Sequence, residues 1–401
     1  MRSKRKIICV IDNFEKRVSL ILILLILCGC VEEFQPESIK FESILVVEAT
    51  LTNEFQKHEV LLSRTTPIEN NQIQPETNAT VSIIDDKLNE FLFEEIEPGR
   101  YRSIDPFMAI ENEAYQLTIL TEDGTSYISK KESMVGSGSI DELSASRRIN
   151  ENGIDGVEIT ISANSNLNGV AYFRYKYEET YQIISTFNPT DDLFIISENP
   201  PLVELRRREK QDRVCYNTVE SNTIIVANTS GLTENKIINF PIRFIANNDF
   251  MLRNRYSINV KQLAQTREAY TFYDNLLEFS NSESLFTQTQ AGFIEGNIKS
   301  VDNSNEKILG FFNVSSVSSI RIFFNYREIF PDLNFPRAQF NCGGDSFLGG
   351  FGSSDQDLVN FLNSGSFRYV TTEFGSYYLA PAICVDCTLQ GSNIEPDFWE
   401  E

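Results

Sequence analysis

The sequence predicts a mainly β protein, in which a small N-terminal β-sandwich is followed by a larger β-rich, sandwich-like domain with one amphipathic helix. Three observations lead to this prediction. Most of the chain consists of short runs that alternate in polarity or are rich in β-branched residues, bounded by Asn, Asp, Gly and Ser. The 401 residues are 41% hydrophobic and 11% aromatic, which suffices for a sizeable core in two or three domains. One segment has the spacing of a helix instead.

The first 29 residues have the features of a bacterial lipoprotein signal peptide. A basic start precedes an apolar run from Val18 to Cys28, and a run of about eleven residues is too short to span a ~30 Å hydrocarbon core as a helix. The run ends in Leu27-Cys28-Gly29-Cys30, which matches a lipobox. We therefore expect residues 1–29 to be removed and Cys30 to carry a lipid. The alternatives are an ordinary signal peptide and a short buried helix.

Residues 30–43 are predicted to form an acidic linker after the lipidated cysteine. Glu32 and Glu33 follow Cys30 closely, and acidic residues in this position resemble the signal that directs lipoproteins of the Bacteroidota to the outer leaflet. The plainer interpretation is a solvated linker in an acidic protein. We expect an outer-membrane protein that is anchored by its lipid and faces the cell exterior. Each buried CH₂ of an acyl chain contributes about 0.8 kcal/mol, so two or three chains hold a protein firmly at a bilayer.

Residues 44–135 predict an immunoglobulin-like β-sandwich. About seven short strands follow one another at regular spacing. Asp85-Asp86 and Glu122-Asp123-Gly124 provide turn residues between strands, and Gly124 can adopt the positive φ of a hairpin. The segment also resembles the immunoglobulin-like domains that accompany outer-membrane receptors, where a Gly-x-Tyr such as Gly99-Arg100-Tyr101 marks the strand after a turn.

A second β-rich domain is predicted over residues 150–401. The polar stretch from Met134 to Asn152 predicts the boundary before it. Within this domain residues 266–279 predict an amphipathic helix that lies on a sheet, with Thr266 placed to cap it. The apolar side chains on its predicted buried face, at helical spacing, are Ala269, Phe272, Tyr273, Leu276 and Leu277.

Acidic side chains dominate the composition. The formal net charge is −22, and it becomes −26 when residues 1–29, with six basic and two acidic side chains, are removed. Such a surface repels nucleic acid, so we expect no nucleic-acid partner. The exception is a basic cluster in a predicted polar loop, which either docks an acidic partner or, as we favour, balances neighbouring acids. The cluster consists of Arg206, Arg207, Arg208, Lys210 and Arg213.

Four cysteines remain beyond the signal peptide and Cys30: Cys215, Cys342, Cys384 and Cys387. An even number in an oxidising compartment predicts two disulfides, with three pairings to choose from. We favour a pairing that links Cys342 to one member of the Cys384/Cys387 pair. The CxxC spacing of that pair also fits a four-thiolate zinc site, although such sites usually combine two CxxC pairs. Free or redox-active thiols are the third alternative.

No catalytic constellation is recognisable, and we expect neither an enzyme nor a cofactor or metal. His58 is the only histidine, which excludes HExxH and other sites with two histidines. It precedes a predicted strand, where a plain polar role is favoured over a Ser-His-Asp triad. Asp191-Asp192 lacks the spacing of a calcium loop, and the glycine-rich loops near Cys342 and Leu348 lack the Lys-Ser/Thr of a phosphate-binding loop. A glycosidase-like carboxylate pair stays open, because 57 acids bring some pairs together by chance.

Five motifs occur in a fixed order along the chain. They are Leu45-Val46-Val47-Glu48, Glu268-Ala269-Tyr270, Gly296-Asn297-Ile298, Leu309-Gly310-Phe311-Phe312, and an ending with Cys384, Cys387, Thr388, Gly391, Asn393, Pro396, Phe398 and Trp399. In order and spacing they resemble the Bacteroidota surface lipoprotein family that contains the domain of unknown function 4249. The resemblance extends over essentially the whole mature chain.

The resemblance implies a surface lipoprotein of a kind often encoded beside TonB-dependent receptors, and it brings no catalytic residues. We therefore expect a non-enzymatic outer-membrane protein that docks on a TonB-dependent receptor or similar β-barrel and assists ligand capture or uptake. Two other classes stay open: a structural or assembly subunit of an outer-membrane complex, and an adhesin or ligand-binding module that acts alone. The proteins that co-purify with the chain would discriminate among the three.

Overall fold

The alternating runs of the sequence form strands throughout the part of the chain described by the structure. This computed structural model describes residues 42–67, 72–165, 169–232, 234–281, 293–343 and 347–401. The strands are β1 (Leu45–Thr52), β2 (Glu59–Arg64), β3 (Gln74–Pro75), β4 (Thr80–Asp85), β5 (Glu90–Glu97), β6 (Arg100–Ser103), β7 (Ala114–Leu120), β8 (Ser126–Ser129), β9 (Glu132–Ser133), β10 (Gly138–Ile149), β11 (Asp155–Ser165), β12 (Tyr172–Ile184), β13 (Asp191–Glu198), β14 (Pro201–Arg207), β15 (Val214–Glu220), β16 (Ile225–Asn228), β17 (Lys236–Ala246), β18 (Tyr256–Gln265), β19 (Ile298–Ser300), β20 (Ile308–Ser315), β21 (Val317–Phe324), β22 (Leu348–Phe351), β23 (Phe367–Glu373) and β24 (Ser376–Pro381). The α-helices are α1 (Arg267–Asn281), α2 (Tyr326–Ile329) and α3 (Gln356–Asn363). The prediction of a mainly β protein is confirmed.

The first sheet encloses a core on one of its faces. Strand β1 buries Leu45, Val47, Ala49 and Leu51 and leaves Glu48 exposed, as the period of two requires when one face is covered. The main path of the sheet runs β19-β8-β7-β4-β5-β6-β2-β1-β20, and all of these strands supply side chains to one hydrophobic cluster. The terminal strands β19 and β20 contact each other, so the sheet closes around its core in a barrel-like manner.

Two strands from far along the chain complete this first sheet. Strand β20 pairs in parallel with β1 over all eight residues, from Leu45 opposite Ile308 to Thr52 opposite Ser315. Strand β19 pairs with β8 at the other end of the path. The first sheet is therefore not formed by residues 44–135 alone, and the predicted division assigned both late strands to the second domain. The reason is that parallel strands need a long crossover connection, which leaves no local signal in the sequence.

A two-layered β-sandwich follows the first sheet, and we call it the second sandwich because it comes after the sandwich predicted for residues 44–135. Strands β10-β11-β17 form one layer and β15-β12-β18-β21 the other, with β16 added alongside β12. Their facing side chains share the largest core of the described residues. The stretch 134–152, predicted as a boundary between domains, is not a loop, because most of it forms strand β10. This edge strand turns Leu143 into the core and leaves its serines and charged residues largely in solvent, which explains its polar composition.

Helix α1 lies on the outer face of β20. Ala269 and Phe272 are buried against Phe311, and the Thr266 hydroxyl accepts a hydrogen bond from the Ala269 amide at 3.1 Å. The prediction of an amphipathic helix over 266–279 is confirmed, with a shift of one residue at the start and two at the end. Of its aromatic side chains, Phe272 and Tyr273 pack on the sheet as core, whereas Phe279 is exposed.

Residues near the C-terminus form a third module with the β13–β14 hairpin. Strands β22-β24-β23 make a small sheet, and helix α3 packs beside it. Leu358 and Val359 of α3 are fully buried together with Leu379 of β24 and Val203 of β14. We call this unit, built from β13, β14, β22, β23, β24 and α3, the C-terminal module.

Candidate docking surface

The β13–β14 hairpin presents apolar side chains on both of its faces. Its inner face packs Leu193, Ile195 and Val203 into the core of the C-terminal module. Four further apolar side chains of the hairpin are 37–46% exposed, and we call them the hairpin patch: Phe194, Ile196, Leu202 and Leu205. Leu205 lies opposite Leu193 and so belongs to the inner side, where it is only partly covered. Sequence reasoning assigned this region to polar loops, which is wrong. The sequence did contain a sign of an exposed apolar strand face. Side chains alternate between the two faces of a strand, so the unbroken apolar run from Leu193 to Ile196 puts apolar side chains on both faces.

A buried ion network holds the hairpin in place. The side chain of Arg208 is 6% exposed, and its guanidinium donates hydrogen bonds to Asp212 and, at 2.8 Å, to Asp192 of β13. Arg208 therefore balances neighbouring acids, as favoured from the sequence, but it does so from a buried position and not from a solvated loop. Arg206 pairs with Glu204 at 3.3 Å on the surface and lies 5.1 Å from the centroid of the Phe194 ring. These two arginines balance acids locally and do not form one basic patch.

Two disulfides lie next to the C-terminal module, and one of them ties the segment after β24 to β15 of the second sandwich. Cys342 pairs with Cys384, as favoured from the sequence, and Cys215 of β15 pairs with Cys387. The prediction of two disulfides is confirmed, and since every one of these sulfurs is bonded to another sulfur, none is a thiolate that could bind zinc. The amide of Cys387 also donates to the carbonyl of Asp212 at 2.9 Å. The hairpin patch is thus carried by a rigid support.

The C-terminal motif fastens the end of the chain to the second sandwich. Tyr216 of β15 and Ser392 exchange two backbone hydrogen bonds of 2.8 and 2.9 Å. A Cβ on Gly391 would lie 2.4 Å from the carbonyl oxygen of Tyr216, so glycine is required for this approach. Trp399 then packs edge-on against the rings of Tyr216 and Phe323. These motif residues have structural roles.

The Gly-Asn-Ile and Leu-Gly-Phe-Phe motifs meet at the edge of the first sheet. A Cβ on Gly296 would lie 1.6 Å from the carbonyl oxygen of Gly310, so glycine at position 296 allows the two backbones to touch. A Cβ on Gly310 would instead lie 2.5 Å from the carbonyl oxygen of Val47 in β1. Asn297, 2% exposed, accepts from the amide of Phe312 and donates to its carbonyl, both at 2.8 Å, and donates to Glu132 at 2.9 Å. The side-chain amide of Asn297 thus makes the two hydrogen bonds that a neighbouring strand would otherwise make with Phe312 of β20. Burial raises the pKa of Glu132.

The remaining predicted residues lie apart from the C-terminal module. Cys30, the predicted lipid attachment site, falls outside the described residues, as do residues 1–29 and nearly all of the linker 30–43. His58 is buried in the first sheet, where its Nε2 is 2.9 Å from the carbonyl oxygen of Phe107. Burial lowers the pKa of His58, so its ring is neutral near pH 7 and donates this hydrogen bond.

Two negative findings apply to the described ranges only. No helix within them is both long and apolar enough to cross a membrane. Within the same ranges, His, Cys, Asp and Glu side chains do not gather in groups of three or more that could hold a metal ion.

The fold and the C-terminal module define the class of protein: a disulfide-bonded β protein with several sheets and an exposed apolar hairpin. The comparison with known families is more specific. The model of the family described as a domain of unknown function (DUF4249) matches residues 31–321, most of the chain. The chain therefore belongs to this family, and the resemblance is confirmed over this range, which includes four of the five motifs; the motif at residues 384–399 lies beyond it.

Comparisons with individual proteins add little. No curated protein matches the chain. Among solved structures, a crystal structure of a DUF4785 family protein from Legionella pneumophila subsp. pneumophila str. Philadelphia 1 is similar at 9% identity, with a TM-score of 0.18. The alignment covers 56% of this chain and 54% of the Legionella chain. A likeness at this level carries no argument about fold or function.

Proposed function

We propose that this chain is a non-enzymatic lipoprotein of the bacterial outer membrane, anchored through Cys30 and facing the exterior. It docks on a TonB-dependent receptor or a similar β-barrel and assists the capture or uptake of that receptor's ligand. The lipobox of the sequence supports the anchoring, and the resemblance of the motifs to receptor-associated lipoproteins supports the partner.

The hairpin patch is the observation that carries the docking proposal. Apolar side chains grouped on an exposed element of a soluble module favour a protein partner, because their burial on binding is stabilising. Burial of a large apolar side chain contributes roughly 1.5–3 kcal/mol, so a few such side chains can anchor an interface. The net charge of −22 on the chain keeps its copies apart.

The support beneath the patch also favours docking. The Cys215–Cys387 disulfide joins the segment after β24 to β15 of the second sandwich, and the buried Arg208 network holds the hairpin beside this segment. A surface that is rigid before binding loses less conformational entropy when its partner arrives. A hairpin without such anchors would have to become ordered on binding, and the entropy lost in this ordering would weaken the binding.

The test is a detergent pull-down of the full chain from its own bacterium, analysed by mass spectrometry. Stoichiometric recovery of a TonB-dependent receptor is expected with the wild type, and Phe194→Asp should abolish it. Ile149→Asp is the matched control, because Ile149 is an exposed isoleucine at the end of β10, outside the hairpin patch. Recovery with barrel-assembly or export machinery would instead assign the chain to an assembly role. Recovery of the chain alone would leave the adhesin class.

A separate experiment tests the anchor. Cys30→Ser should give a soluble or an unprocessed protein, since no thiol remains for lipid attachment. If a processed Cys30→Ser protein stayed at the membrane, lipidation of Cys30 would be the wrong explanation of its attachment.

A further inference from the structure

Three arginines surround a pocket of about 360 Å³ at one end of the second sandwich. Arg253 and Arg255 lie just before β18, and Arg327 lies in α2, which follows β21 closely. Strands β18 and β21 are antiparallel neighbours with Tyr256 opposite Phe324, so the segment before one and the segment after the other meet at the same end of the sheet. The register therefore brings these distant arginines together.

The three arginines differ from most others in the chain in what they bind. Nine arginines of the described chain form ion pairs with carboxylates. Within the described residues Arg253, Arg255 and Arg327 have none, and their hydrogen bonds go to backbone carbonyls of Pro336, Glu400 and, for Arg327, Pro331 and Leu333. A guanidinium has five N–H donors and is always protonated. Several donors of each side chain consequently stay available to a ligand.

Aromatic rings and carbonyls orient these side chains in advance. The guanidinium of Arg327 lies 4.6 Å from the ring centroid of Phe335, and that of Arg255 lies 5.3 Å from the centroid of Phe323. Phe335 is 50% exposed and adds apolar surface to the pocket wall. One acidic side chain, Glu401, also lines the pocket. At position 401 of the given sequence this residue has an α-carboxylate besides its side chain, and three guanidinium charges outnumber these two carboxylates. The pocket is therefore net positive within a chain of net charge −22.

We propose that this pocket binds a small solute with two or more acidic groups, carboxylate or phosphate. The planar fork of a guanidinium matches both groups with two parallel hydrogen bonds. The volume lies in the range of pockets for small molecules, about 300–1,000 Å³. The proposal does not depend on receptor docking, because the pocket and the hairpin patch share no residue.

Isothermal titration calorimetry of the purified full chain tests the proposal, with citrate and pyrophosphate as the probes and sucrose as the uncharged control. One saturable site is expected for citrate, pyrophosphate or both, and the tighter probe tells which acidic group is preferred. The double variant Arg253→Gln/Arg255→Gln should weaken binding about a hundredfold and Arg327→Gln about tenfold, since each charged hydrogen bond contributes at least a factor of ten. Higher ionic strength should weaken binding in the wild type.

Arg368→Gln is the matched control. Arg368 lies in the C-terminal module and, like the pocket arginines, donates to backbone carbonyls. Arg368→Gln removes one positive charge from the chain, as Arg327→Gln does, but outside the pocket, so the binding constant of this variant should equal that of the wild type. Circular dichroism checks that every variant is folded. If the double variant does not fold, the comparison between Arg327→Gln and Arg368→Gln tests the proposal. The proposal is overturned if neither probe binds at about 1 mM, or if Arg368→Gln weakens binding as much as the pocket variants.

Discussion

Replacement of Asn297 by alanine should lower the free energy of unfolding by about 4 kcal/mol. The asparagine satisfies the amide and the carbonyl of Phe312, a residue with no exposed surface, and both groups would stay buried without their partner. Each such group costs about 1–3 kcal/mol when it is left without a hydrogen bond. Asn297→Asp should cost at least as much, because a carboxylate would face the carbonyl of Phe312 and the side chain of Glu132.

Urea unfolding followed by far-ultraviolet circular dichroism measures this loss. The midpoint should fall while the slope stays constant, as expected when stability alone changes. Asn305→Ala is the control: Asn305 is an exposed asparagine in the loop before β20, and its replacement should change stability by less than about 0.5 kcal/mol. A loss for Asn297→Ala no larger than that of the control would refute the reasoning.

Three further predictions concern stability. Replacement of both cysteines of a disulfide by serine should lower the free energy of unfolding, by about 4 kcal/mol for Cys342–Cys384 and about 5 kcal/mol for Cys215–Cys387. The second loss is larger because the closed loop spans 172 residues and not 42, and the urea midpoint should therefore be lower for the Cys215–Cys387 variant. Arg208→Met should cost about 3 kcal/mol by thermal unfolding, because it leaves buried Asp212 without its partner. The chain should lose stability as the pH falls below about 6.5, because unfolding frees His58 to bind a proton that burial disfavours; His58→Gln should remove this dependence.

Each of these predictions has its own contrary result. Equal midpoints for the two disulfide variants would contradict the loop-length argument. Arg207→Met is the control for Arg208→Met, because Arg207 is the exposed neighbouring residue at the end of β14, and equal losses would show that the ion network is not responsible. The pH effect rests on a lowered pKa in the folded state. Stability that is constant between pH 7.5 and pH 5.5, relative to His58→Gln, would therefore contradict it.

Local patterns in the sequence account for much of the fold. Alternation located strands such as β1 and β7, and the spacing of Ala269 and Phe272 located helix α1, because each pattern depends on neighbours within a few residues. The count of cysteines predicted two disulfides, and the favoured partner group of Cys342 was right. The family motifs were recognised, although their roles at Asn297 and Trp399 became clear only from contacts.

Long-range features could not be obtained in this way. The pairing of β1 with β20 joins residues more than 250 positions apart, and no local pattern encodes it. The arginine pocket likewise depends on the register of β18 against β21. The β13–β14 hairpin was missed for a different reason: in β13 the partly exposed Phe194 and Ile196 are apolar like Leu193 and Ile195, so the alternation that marks a half-buried strand is absent there.

The parallel pairing of β1 with β20 has a consequence for biosynthesis. The ribosome completes β1 early, but its partner is made about 250 residues later, a delay on the order of tens of seconds at 5–20 residues per second. Throughout this interval one edge of β1 has unsatisfied amides and carbonyls, which are open to pairing with other chains. The nascent chain therefore offers a long period for chaperone binding, and premature release would favour aggregation through this first strand.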